Sequence, residues 1–313
     1  MQGILTRLAL AAAAALPFMA AVPAEAAPAP KLDVQHLSRY VDFVQVLPGE
    51  RFPLRATDNV GRTVNAIWRA NGGRLAFGDD LAVWQAPLKP GSHRITATAL
   101  VNGKQLSRTI HMVVTVPVAN VRDGKLNGYP IGAYPKGFGQ GTSMVANRGV
   151  RNSYDVPLGF VELTQAMLDV PVSEHYKLRD FAGKDAFVGG KKYLFVEPKL
   201  VEKLERLIDS MRSSGYACSK LELMSAYRSP WLNKAIGNQT SLSRHTYGDA
   251  ADMIVTDFNR DGRADKADAT ILWKTVDKLD KETSLTGGAG WYNPNGAHGY
   301  FIHTDTRGSA VRW

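Results

Sequence analysis

Between about Leu32 and Val118, apolar and polar residues alternate in short runs broken by turn-forming residues: "VDFVQVLPGE", "NAIWRANGG", "LAVWQAPLKPG", "HRITATALVNGKQ" and "RTIHMVVTVP". A period of two sends every second side chain to a common face, so these runs predict the strands of an antiparallel β-sandwich. Asn102-Gly103 predicts a tight hairpin between two of them. The pattern then changes. Residues 119–160 are rich in Gly, Pro and Tyr, as in "LNGYPIGAYPKGFGQGTS", and carry little periodicity, which predicts a linker running into an extended lead segment. Next, "PKLVEKLERLIDSMRSSG" places Leu200, Val201, Leu204, Leu207, Ile208 and Met211 on one helical face, with Gly215 as the stop. "KLELMSAY" reads as a strand, and no internal repeat is present, so the second half is a mixed α+β unit.

The first unit resembles an immunoglobulin-like domain in size and pattern, without the cysteine pair. It holds no cluster of reactive side chains, and His93 and His111 fall in strand-like runs. The division expected is a leader at 1–26, the all-β sandwich at 27–118, a Gly/Pro-rich linker and lead segment at 119–150, and the α+β unit at 151–313.

The leader follows from Arg7, the mostly apolar run from Leu8 to Ala21, and the small-x-small site Ala24-Glu25-Ala26. That run is shorter than the ~20 residues a membrane span requires, so the expectation is a periplasmic or otherwise exported protein with no transmembrane segment after processing, the alternative being a retained N-terminal anchor. The net charge is +9. It favours anionic surroundings such as cell-wall polymers, while scattered basic residues without a nucleic-acid motif argue against nucleic acid. Cys218 is the sole cysteine, so an internal disulfide is excluded. His36 and His175 have no supporting context.

The chemistry concentrates in "SLSRHTYGDAAD", residues 241–252. Gly248 and the strand-like "DMIV" that follows prevent His245 and Asp252 from sharing a helix face. A loop carrying His245 and folding back onto a strand that begins near Asp252 brings imidazole and carboxylate together. Both groups suit zinc, whose catalytic sites have three protein ligands and an open position. His303 in "GYFIHTDTRG" is placed to supply the third from a neighbouring strand.

The segments "SAYRSP" (225–230), "SRHTYGDAAD" (243–252) and "FIHTDTRG" (301–308), with "LNGYPIGAYP" and the terminal "RW", resemble the zinc D-alanyl-D-alanine peptidases. That group includes vancomycin-resistance dipeptidases, phage endolysins and the hedgehog signalling domain. Its Ser-x-His-x-x-Gly-x-Ala-x-Asp core matches at Ser243, His245, Gly248, Ala250 and Asp252. The resemblance implies a hedgehog/DD-peptidase-like fold with zinc on His245, Asp252 and His303. It implies Arg228 as a clamp for a substrate carboxylate or an oxyanion, and Ser243 as a residue that contacts substrate or orients His245. Many relatives place a histidine two residues, or a glutamate three residues, before the last zinc histidine. Here those positions are Phe301 and Tyr300. The base is therefore open between Asp305, which also suits an orienting role behind a zinc ligand, and His298.

A second metal pattern follows in "DFNRDGRADKAD", residues 257–268. Asp257, Asn259, Asp261, Asp265 and Asp268 stand at side-chain ligand positions of a calcium loop, Gly262 at its sharp turn, and Arg263 where a backbone carbonyl would bind. Position 12 is Asp rather than Glu, and the alternative is an Asp-rich turn capping the next helix. The function expected is a zinc peptidase cutting an amide of the peptidoglycan stem peptide or cross-link, of D,D- or L,D-carboxypeptidase or endopeptidase type. The sandwich would position it or contact wall or protein partners. The rivals are a non-catalytic zinc-bearing binding module and a zinc peptidase acting on another substrate.

Overall fold

The longest strands, Gly91–Val101 and Lys104–Val114, form one hairpin in which Val101 pairs with Lys104. Asn102 and Gly103 both take positive φ, 49° and 77°, as a tight two-residue turn between right-twisted strands requires. This is a computed structural model, and it describes residues 31–78, 81–137, 143–144, 154–238 and 240–313; the expected leader at 1–26 lies outside them. The hairpin is flanked by Ala66–Ala70 on one side and Phe43–Val46 on the other, and a three-stranded sheet orders Arg51–Leu54, Ala82–Gln85 and Arg74–Phe77. Phe52, Trp84, Ile95, Ile110 and Met112 from both sheets fill one core. Phe43–Val46 runs parallel to Lys104–Val114, which departs from the fully antiparallel sandwich expected. A parallel pair needs a crossover, and the chain between the two strands supplies it, building the second sheet and two further strands of the first.

In the α+β unit, the Pro198–Ser213 helix buries the six apolar side chains its periodicity predicts, and Gly215 follows with φ of 83°. A five-stranded sheet runs in the order Leu223–Ser225, Ala250–Ile254, Phe301–Asp305, Gly288–Tyr292, Val311–Arg312. All neighbours are antiparallel except the last pair. Ala251, Met253, Ala289 and Ile302 join the core, against which the Lys266–Glu282 helix also packs. Alternation then turns Asp252, His303 and Tyr292 to the opposite face.

Part of the stretch expected as linker and lead segment is core. Leu126, Tyr129, Ile131 and Tyr134 are buried with the α+β unit. The Tyr134 hydroxyl donates to the Thr246 carbonyl at 2.9 Å, beneath the loop that carries His245. The two units are joined by more than the chain. Val116–Pro117 pairs with Gly159–Leu163, and the buried Gln45 amide donates to the Val196 carbonyl at 2.7 Å and accepts from the Val196 N–H at 3.3 Å.

Candidate metal centre

The Arg244–Tyr247 segment forms a single 3₁₀ turn, which Gly248 ends in the left-handed region at φ 73°. A Cβ at that position would also overlap the Phe195 carbonyl, so glycine is required twice over. The turn drops the chain onto the Ala250–Ile254 strand. Asp252 there lies directly opposite His303 in the adjacent antiparallel strand.

His245, Asp252 and His303 converge, with one donor atom of each lying within 4.8 Å of the other two. His245 Nε2 is 3.3 Å from Asp252 Oδ1, and His303 Nδ1 is 2.8 Å from the same oxygen. The outer nitrogens are engaged as well. His245 Nδ1 lies 2.6 Å from the Ala226 carbonyl, which can only accept, so that nitrogen carries the proton and Nε2 turns its lone pair to the cluster. His303 Nε2 lies 3.2 Å from Asp305 Oδ2. Anchoring of this kind fixes ring orientation and tautomer at metal-binding histidines.

Electrostatics follow from these contacts. Burial raises the Asp252 carboxyl, but the imidazoles of His245 and His303 outweigh it and hold the group well below the usual carboxylate range. Burial pushes the His245 imidazole down, and Asp252 only partly opposes it. Burial also acts downward on His303, yet hydrogen bonds to Asp252 and Asp305 raise it to about 9. For Asp305, burial is again overcome, here by His303 and Arg307, which keep it ionised.

A buried histidine–carboxylate–histidine set, one residue from a turn and two from paired strands, has the donor chemistry of a mononuclear zinc centre. A profile of the family described as Peptidase M15 matches residues 184–271, and the match supports the M15 zinc peptidases, which include D-Ala-D-Ala carboxypeptidases. It spans Arg228, Ser243, His245 and Asp252; His303 lies beyond it and is brought in by strand pairing. Neither the curated proteins nor the solved structures gave a match.

The other expected residues are placed as follows. Arg228 brings Nη2 to 3.9 Å from Asp252 Oδ2, while its Nε is buried without a partner among the described residues, and its backbone N–H donates to the His245 carbonyl at 3.2 Å. Ser243 is buried at the start of the His245 turn, and its side chain does not cap that turn. His298 stays within its own loop, contacting Asn295 Nδ2 at 2.8 Å, the Gly299 carbonyl at 2.8 Å and the edge of Phe301. Asp305 is fully buried and occupied by His303, Arg307 and the Gly288 N–H.

The 257–268 loop spends its side chains on its own backbone. Asp257 accepts from the N–H groups of Asp261 and Gly262, and Asn259 Oδ1 accepts from Asp261. Asp261 accepts from the Arg263 N–H. Asp265 and Asp268 form the capping box of the Lys266–Glu282 helix. Calcium draws no support here beyond the spacing of these residues, and the capping alternative accounts for the contacts.

Sequence reasoning missed four contributors. The Ala226 carbonyl leaves no trace in residue identity. Arg307 and Trp313 did leave one: Gly288 and Gly290, two apart on a strand, mark where their side chains lie across the sheet, while the place of Tyr292 follows only from strand register. A Cβ on Gly288 would crowd Asp305 and Arg307, and one on Gly290 would overlap the Trp313 indole.

Proposed function

We propose that this protein is a zinc-dependent peptidase that hydrolyses an amide bond in the peptide stem or cross-link of peptidoglycan. The observation that carries this reading is the convergence of His245 Nε2, Asp252 Oδ1 and His303 Nδ1 with both outer imidazole nitrogens already engaged. That donor set fits zinc: two imidazole nitrogens, the one on His303 freed when its proton is displaced, and one carboxylate oxygen, buried, on rigid strand and turn positions. When bound, zinc supplies a Lewis acid that makes water nucleophilic near neutral pH and polarises the amide carbonyl.

The chain's own residues do the rest. Ala226 and Asp305 hold the imidazoles in place. Arg228, whose Nε has no partner among the described residues, offers cationic N–H groups to a substrate carboxylate or to the developing oxyanion. The Peptidase M15 match supports the peptidase class. The peptidoglycan substrate, with D-amino acids near the cut, rests on the resemblance of the motifs and on a net charge of +9 suited to an anionic wall. Export to the periplasm and a wall- or partner-contacting role for the all-β unit belong to the same proposal.

One observation favours a second reading, a non-catalytic zinc-bearing module. Asp305, the carboxylate that contacts His303 on its outer nitrogen, is consumed by Arg307 and His303 and is not available as a base. The test is a muropeptide profile of purified sacculi after incubation with the processed chain, beside His303→Ala and a chelator-treated sample. New fragments absent from both controls establish the peptidase, and their masses name the bond. An unchanged profile from folded, zinc-loaded protein selects the binding module, and cleavage of casein without cleavage of sacculi selects a different substrate.

A further inference from the structure

Resting on the hydrolase reading above, we propose that the Tyr292 hydroxyl, aimed by the C-terminal Trp313, donates a hydrogen bond to the substrate amide oxygen as it gains negative charge.

The placement comes from strand register. Gly290 pairs with His303 and Tyr292 with Phe301, so Tyr292 rises from the same sheet face as the metal ligand. Its ring stacks on Phe301, with centroids 4.3 Å apart and planes 8° apart, which holds it over the sheet. It is 36% exposed, so the side chain reaches solvent and is not packed into the core.

Trp313 sets the direction of the hydroxyl. The backbone of this terminal residue is pinned to the neighbouring strand: Trp291 N–H donates to its carbonyl at 2.8 Å and its own N–H donates to Ala289 at 3.2 Å. The indole lies across Gly290 with its ring 5.2 Å from that of His303 and the Arg307 guanidinium 5.7 Å away. From there Nε1–H donates to the Tyr292 oxygen at 2.9 Å. An indole N–H can only donate, so the phenol must accept from it and direct its own proton elsewhere. No protein acceptor for that proton is present among the described residues. Arg228 Nη2 lies 3.9 Å from Asp252 Oδ2, so a guanidinium stands beside the same ligand set from whose sheet face Tyr292 rises.

The test uses the zinc-loaded chain and the variants Tyr292→Phe, Trp313→Phe and both together. Removing one oxyanion donor is expected to lower kcat about 10²-fold. KM and zinc affinity are expected to remain near wild type, which separates this role from a structural one. Trp313→Phe keeps an aromatic ring and loses the N–H, so a smaller drop is expected, and the double variant should be no worse than Tyr292→Phe because the two act as a unit. A second readout needs no turnover: binding of a phosphinate isostere of a D-alanyl-D-alanine dipeptide, whose charged tetrahedral centre should lose about 10²-fold affinity in Tyr292→Phe. Wild-type kcat and phosphinate binding in Tyr292→Phe would overturn the proposal while leaving the hydrolase reading intact. A wild type that cleaves nothing but binds the phosphinate through Tyr292 would sink the hydrolase reading alone. One that neither cleaves nor binds it would sink both.

Discussion

His303 and Asp305 project from one face of the same strand. The 3.2 Å between His303 Nε2 and the Asp305 carboxylate leaves the opposite nitrogen, Nδ1, facing Asp252 at 2.8 Å. Asp305 is itself held by the backbone N–H, Nε and Nη2 of Arg307 and by the Gly288 N–H. A carboxylate so occupied orients its histidine and has little freedom to shuttle protons to a substrate.

Asp305→Asn should therefore act on the metal. Loss of an outer partner to a zinc histidine typically costs about 10- to 100-fold in affinity, and that drop is expected here with the fold retained. Competition with a chromophoric chelator measures it. Unchanged zinc affinity with abolished turnover would instead assign Asp305 the proton-transfer role.

The same pair sets a pH dependence. In the metal-free protein the His303 pKa is raised from 6.5 to about 9. A raised folded-state value means that the charged ring stabilises the fold fully below about 6.5 and that this contribution fades as pH climbs through about 9. Zinc competes for the same nitrogen and must expel one proton. His245, pushed down by burial, is neutral and expels none. Zinc affinity should therefore rise about tenfold per pH unit across neutrality and level off above about pH 9. Calorimetry in buffers of different ionisation enthalpy counts the protons released, and two or none would contradict this account.

Much of the fold and the cluster was legible because both rest on local periodicity. The apolar stripe of the Pro198–Ser213 helix and the strand continuation after Gly248 follow from spacing alone. His303 could be placed because a short apolar run suits a strand neighbouring the first. Long-range relationships left weaker traces. The parallel pairing of Phe43–Val46 depends on a crossover that no local pattern encodes. Lys203 was readable and went unread: it sits three residues after Leu200, inside the apolar stripe, and a lysine there demands a buried partner.

The acidic loop offers a test that separates capping from ion binding. Asp268 is fully buried, its Oδ1 accepting from Phe258 at 2.7 Å and Asn259 at 3.1 Å and its Oδ2 from Asp265 at 3.1 Å. Asp268→Ala strands those N–H groups, and a loss of about 1–3 kcal/mol is expected. Denaturant unfolding with excess calcium and with a calcium-selective chelator should give the same loss. A wild type that calcium stabilises, with a variant that it does not, would show that the loop binds the ion.

Lys203 carries the last prediction. Its ammonium is fully buried, 2.6 Å from Asp280 Oδ1 and 2.8 Å from the Asp305 carbonyl, and Arg312 reaches the other Asp280 oxygen at 2.9 Å. It thus ties two helices to the end of the strand that bears His303. Lys203→Met should cost roughly 3–5 kcal/mol, because it leaves Asp280 buried with one partner fewer. Replacing both residues, as Lys203→Met with Asp280→Leu, removes the stranded charge and should recover much of that loss. Zinc affinity should not recover in parallel, since the clamp on the Asp305 carbonyl is gone in both variants. Chemical denaturation and zinc titration of the single and double variants read the two effects separately. Equal stability losses in both would show that the carbonyl clamp, not the buried ion pair, is what Lys203 contributes.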